Sequence, residues 1–144
     1  NALTLFKIYE IKEIFFFHVN ALKEIDSILE MYTEKELREK PEYIIVLSAH
    51  WESDSFEITS SEDPGLLYDY GGFPKEAYQI QYPAKGSPRL AEMILNLLLR
   101  SGLPSRLNPQ RAFDHGVFVP LKLIYPAADI PVIQISLHQS LDIF

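Results

Sequence analysis

The chain of 144 residues contains no cysteine. That excludes a disulfide framework and a thiolate metal site, so any bound metal has to be held by His, Asp or Glu. A chain without cysteine also fits a cytoplasmic setting. Basic residues are scarce and scattered: 13 Lys and Arg stand against 20 Asp and Glu, for a net charge of -7. No Lys/Arg stripe is available to neutralise phosphates, which argues against a nucleic-acid partner. No apolar run approaches the roughly 20 residues that a membrane span needs. The N-terminus mixes charged residues into its apolar ones and shows no small-residue cleavage site, which argues against a secretory signal. Repeats and low-complexity stretches are missing too. What is present is a chain 47% hydrophobic, with enough apolar material for a core. Its length allows one domain, or most of one, over residues 1–144.

The pattern of apolar residues predicts an α/β fold with a mostly parallel central sheet flanked by helices. Glu13 to His18, with three consecutive phenylalanines, reads as a buried strand. Leu22, Ile25, Ile28, Leu29 and Tyr32 then recur at helical spacing, predicting a helix from about Ala21 to Glu39. Glu42 to Ala49 is β-branched and apolar at its centre, as a strand buried on both faces would be. Strand, helix and strand in this order form a βαβ unit with parallel strands. A second helix has its punctuation written out: Ser87 as N-cap, Pro88 at the first position and Gly102 after the last turn. Its predicted buried stripe is Leu90, Ile94, Leu97 and Leu98. Residues 53–86 are rich in Tyr, Gly and Pro and read as a long ordered loop, apart from a strand at Phe56 to Thr59. A third helix is expected from Val117 to Tyr125, with Pro120 in its first turn, and a last strand from Ile130 to Leu137.

Four histidines carry the chemical information: His18, His50, His115 and His138. His18 and His50 are expected at the carboxyl ends of their strands, where open parallel sheets bind ligands. Two imidazoles reaching one crevice can bind a divalent metal; the alternative is a pair of satisfied, partly buried histidines. His115 lies between Asp114 and Gly116 just before a helix, a setting for a general acid/base or a ligand, or for a helix-start residue bonded to backbone. His138, late in a strand, reads as structural. Tyr68, Tyr70, Phe73, Tyr78 and Tyr82 crowd the long loop. They either pack it down or line a pocket for a flat ring. Trp51 is expected to pack beside the sheet end.

Several segments together resemble one family. These are Ser48 to Glu52 (Ser-Ala-His-Trp-Glu), Tyr68 to Glu76 (Tyr-Asp-Tyr-Gly-Gly-Phe-Pro-Lys-Glu), Tyr82 to Ala84, Asp114 to Lys122 (Asp-His-Gly-Val-Phe-Val-Pro-Leu-Lys) and Pro131 to Leu137. In this order and spacing they are similar to class III extradiol ring-cleavage dioxygenases, in the DOPA 4,5-dioxygenase-like branch, across Phe15 to Asp142. The resemblance implies a ring-cleaving oxidoreductase acting on a small aromatic such as a catechol with O2. It implies a non-haem divalent metal, Fe(II) or Zn(II), with His18 and His50 among its ligands, and His115 in the active site near substrate and oxygen. It does not say which residues bind the substrate.

The chain departs from the family in three places. The Gly-Ser/Thr-Pro expected right after the first histidine is absent: His18 is followed by Val19, and Asn20, Ala21 and Leu22 match what lies beyond that loop in the family, so a few loop residues are missing. Asn1 to about Lys12 matches nothing in the family. The family's later histidine base and third metal ligand lie beyond the position of Phe144. The expectation is therefore a fold and a site that are incomplete relative to the family; Asp114 or Glu52 could substitute as a ligand, but nothing in the spacing requires it. A parallel sheet ended early exposes an edge, so the chain is expected to aggregate or to pair with a copy of itself. A non-catalytic remnant of the fold, binding zinc or a protein partner, is the competing reading. A hydrolase in the same crevice is a weaker one, since no activated Ser or Cys motif is present.

Overall fold

The computed structural model describes residues 40–140. The strand expected at Glu13 to His18, the helix from Ala21 to Glu39 and His18 itself lie outside the described residues. Within them, four strands form one sheet: β1 (Ile44–Ser53), β2 (Phe56–Thr59), β3 (Ser105–Asn108) and β4 (Val132–His138), in the order β1-β4-β2-β3. Two α-helices accompany it, α1 (Pro88–Arg100) and α2 (His115–Ile124), with a short 3-10 turn at Lys75–Gln79. The β1–β4 and β2–β3 pairings are parallel, and β2 meets β4 antiparallel. The sheet is thus mixed and mostly parallel, as the α/β reading expects.

Helix α1 begins and ends on its sequence signals. The Ser87 hydroxyl accepts the Leu90 N–H at 3.3 Å, and Pro88 takes the first position, where its missing donor is not needed. At the other end Gly102 has φ +78°, which a residue without Cβ adopts freely. Its N–H reaches the Leu99 carbonyl at 3.1 Å and the Leu103 N–H reaches Leu98 at 3.0 Å, a Schellman closure. The buried face is Leu90, Ala91 and Ile94, with Leu95 and Leu98 partly buried beside them. Leu97, expected in this stripe, is 48% exposed. At 100° per residue it lies about 90° from the middle of these five residues, at the edge of the face beside Leu90.

Each face of the sheet buries its own cluster. Ile44, Val46 and Val132 point to the side of α2 and pack with Phe113, Val117, Phe118 and Leu121. Ile45, Ile133 and Ile135 point to the other side and meet Phe56, Ile58 and α1. This alternation explains why β1 reads as a continuous apolar run: successive residues enter opposite cores. The antiparallel seam has one residue pair in register, Ile58 with Ile135. Side chains close the rest of it: Thr59 Oγ1 accepts the Gln134 N–H at 2.9 Å, and Ser136 Oγ accepts the Glu57 N–H at 2.9 Å.

One strand lies where none was expected, and two expectations need correction. Ser105–Asn108, too short and polar to signal itself, is strand β3 on the sheet's edge beyond β2. Helix α2 starts two residues before the expected Val117, so Pro120 falls in its second turn and denies the Gly116 carbonyl its helical donor. Finally, β1 does not end at His50. Its pairing with β4 breaks after Ser48–Ser136 and resumes at Glu52–Leu137. Ala49, His50 and Trp51 therefore form a bulge, the device by which a strand re-aims a side chain.

Candidate active site

The bulge pushes His50 out of the ladder toward the start of α2. Its backbone N–H donates to Ser48 Oγ at 3.2 Å, while its ring is exposed and has no hydrogen bond among the described residues. The His115 ring lies across from it, 4.0 Å between centroids and tilted by 40°. Close approach is possible because the next residue is Gly116, where a Cβ would come within 2.8 Å of His50 Cδ2.

A third group comes from the long loop. Asp69 Oδ1 accepts both the backbone N–H of His115, at 3.0 Å, and a hydrogen bond from its Nδ1, at 2.7 Å. Burial works against the charged form of Asp69, but the hydrogen bonds from His115, a further backbone hydrogen bond and the nearby imidazole together outweigh it and hold the carboxyl below its ordinary range. Donor atoms of His50, Asp69 and His115 all lie within 4.8 Å of one another. Two imidazoles and a carboxylate are a donor set that suits Fe(II) or Zn(II).

The loop is held in place by backbone and by rings. Leu67 N–H donates to the Phe113 carbonyl at 2.8 Å, and Phe113 N–H donates to Gly65 at 3.1 Å, immediately before α2. The Tyr68 hydroxyl donates to the Ile80 carbonyl and the Tyr70 hydroxyl to Ala77. Tyr68 packs edge-on against Phe118 at 5.5 Å, and Tyr70 edge-on against His115 at 5.5 Å. These aromatics mostly pack the loop down, with Tyr70 bordering the site. Phe73 is 60% exposed, and Tyr82 is buried in the core beneath α2, so Tyr82 is not part of a pocket wall.

Beneath the site lies a fully buried carboxylate. Asp114 accepts hydrogen bonds from Ser48 Oγ at 2.8 Å, from Arg111 Nη2 at 3.0 Å and from Gln134 Nε2. Arg111 in turn stacks over Trp51, 4.7 Å from the ring centre. The same Ser48 that donates to Asp114 accepts the His50 N–H, so Asp114 braces the bulge from below. Its oxygens are committed to these three donors, and among the described residues neither Asp114 nor Glu52 belongs to the cluster of His50, Asp69 and His115. The acidic partner of the histidines is Asp69, which sequence reasoning passed over. Its signal was an acidic residue between two tyrosines in a long loop. His138 stands apart at the end of β4, bonded to Ser140.

Comparison with known proteins places the chain among ring-opening dioxygenases. Residues 17–142 match the family described as the catalytic LigB subunit of aromatic ring-opening dioxygenase. The chain is 44% identical over 140 residues to a 4,5-DOPA dioxygenase extradiol of Beta vulgaris, covering 92% of this chain and 52% of that protein. It is 41% identical over 102 residues to the Escherichia coli 4,5-DOPA dioxygenase extradiol, covering 70% and 37%. A solved structure of an uncharacterized protein from Escherichia coli K12 superposes with a TM-score of 0.51 at 38% identity, over 67% of this chain and 34% of the other. The chain thus spans about half, or less, of the length of the relatives it matches. With the Asp-His-Gly start of α2, the His50 bulge and a match over residues 17–142, this chain belongs to the LigB family of aromatic ring-opening dioxygenases.

Proposed function

We propose that the chain carries part of the active site of a metal-dependent extradiol dioxygenase that opens the ring of a catechol such as DOPA. The observation that carries this reading is the pairing of His50 with the Asp69–His115 couple, in a chain that belongs to a ring-opening family. In such a reaction one ring carbon–carbon bond breaks, both oxygen atoms of O2 enter the product, and no outside reductant is consumed. His50, whose ring makes no hydrogen bond among the described residues, would hold the metal together with His18, which lies outside them. When bound, Fe(II) or Zn(II) would supply Lewis acidity toward a catechol hydroxyl, and iron would also supply redox chemistry toward O2. The chain's own groups do the rest. His115 stands beside His50 with one ring nitrogen tied to Asp69, which leaves the other to take or return a substrate hydroxyl proton. Tyr70 covers one edge of that imidazole and limits water on its side. The reading places the reaction in the cytoplasm, on a small dissolved substrate.

The test is anaerobic reconstitution with Fe(II), then addition of DOPA and O2 with absorbance recorded for the yellow ring-opened product. Product that disappears in His50→Ala supports the reading. Stoichiometric zinc binding without product would move the chain to the non-catalytic alternative.

A further inference from the structure

We propose that Asp69 is a positioning residue for His115: it fixes the neutral imidazole as the Nδ1–H tautomer, so that Nε2 is the atom offered for proton exchange. This inference rests on the function proposed above and adds to it a residue from outside the strand and helix that carry the histidines.

Three observations support it. A single carboxylate oxygen, Asp69 Oδ1, takes both the His115 backbone N–H, at 3.0 Å, and Nδ1, at 2.7 Å. Two bonds from one residue to one oxygen constrain the ring's rotation as well as its distance. A carboxylate oxygen that already accepts the backbone N–H is an acceptor, so the shared proton belongs on Nδ1. The second observation is the anchoring of Asp69 itself. The loop is stitched to Phe113 on one side of it, through Leu67, and to Ala77 on the other, through Tyr70. Asp69 is therefore delivered by a braced segment and not by a free side chain on the surface. The third is the edge-on Tyr70 ring, 88° to His115 at 5.5 Å, which confines the imidazole on a further side. The alternative neutral form would place the Nδ1 lone pair against the Asp69 oxygen and lose a charge-assisted bond.

The experiment uses the 144-residue chain labelled with ¹⁵N. Long-range proton–nitrogen correlations of the imidazoles are recorded metal-free and with Zn(II), and His115 is assigned from a His115→Gln spectrum. The expected result is Nδ1–H for His115 in the native chain and a shift toward Nε2–H in Asp69→Ala. Native His115 found as Nε2–H overturns the proposal outright, even if the variant does not fold. An unchanged His115 tautomer in folded Asp69→Ala overturns it as well. In the iron-loaded chain, Asp69→Asn should lower kcat by roughly 10²-fold with KM nearly constant, the scale of a lost proton-transfer contribution. Asp69→Glu should restore part of it. A native kcat in Asp69→Asn would overturn the proposal. If the native chain turns over no catechol at all, the proposed function fails, while the tautomer spectra still decide the role of Asp69.

Discussion

Gly116→Ala separates the shape of the site from the stability of the fold. A methyl group at this position would lie 2.8 Å from His50 Cδ2 and 3.1 Å from both Asp114 Oδ1 and Ser48 Oγ. The two oxygens belong to buried groups and have little room to move. The His50 ring is exposed and makes no hydrogen bond among the described residues, so it yields first, by about 0.6 Å to restore an ordinary contact. The helix itself gains at most the ~0.5–1 kcal/mol that Gly→Ala is worth mid-helix, since Gly116 stands in its first turn. Crowding of the two oxygens costs a comparable amount, at the low end of the ~1–3 kcal/mol typical of overpacking. The net stability change should therefore stay within about 1 kcal/mol. Metal affinity should not be spared. Shifting one ligand of a small donor set by this distance should weaken Zn(II) binding about 10- to 100-fold, the range seen when the support of a metal ligand is lost. Competition against a chromophoric chelator gives the affinity, and urea unfolding of the metal-free chain gives the stability. Native affinity in the variant would show that His50 is not a ligand or that Gly116 does not seat it. A loss of several kcal/mol in stability would show that the buried oxygens, not the ring, absorb the methyl group.

Three further outcomes follow from the core. Asp114→Ala strips Arg111, Ser48 and Gln134 of a common acceptor in a fully buried place, and should cost about 3–5 kcal/mol in urea unfolding. Ser87→Ala removes the cap of α1 and should cost about 1 kcal/mol, read by the same assay, with metal affinity unchanged. Tyr82 has a buried hydroxyl with no partner among the described residues, pushed up to about 12 by burial first and then by Asp129 and Tyr125. Its raised value means that the folded chain resists deprotonation, so this contribution to stability is intact below about pH 10 and is lost as pH rises to about 12. Tyr82→Phe should remove that alkaline decline in unfolding free energy, and at neutral pH it should be neutral or slightly stabilising.

Much of the fold is legible in the chain because the signals are local. Ser87, Pro88 and Gly102 announce both ends of α1 within one turn of each, and the apolar centres of β1 and β4 announce strands buried on both faces. The Asp-His-Gly start of α2 marks His115, and the Ser-Ala-His-Trp run marks His50. Composition alone limits metal donors to His, Asp and Glu. Tertiary structure decided the rest, because the deciding contacts join residues far apart in the chain. Strand β3 has four residues and gains its identity only from lying beside β2. The bulge at Ala49 to Trp51 exists only as a mismatch with β4, which no single strand can show. Asp69 meets His115 across 46 residues because the loop is stitched to Phe113. Asp114 sits in the same Asp-His-Gly motif as His115, yet it turns inward to Ser48 and Gln134 while its neighbour turns outward. The sequence by itself determined which donors are available and which elements carry them. Only the folded sheet, by breaking one ladder and pinning one loop, decided which of those donors face one another.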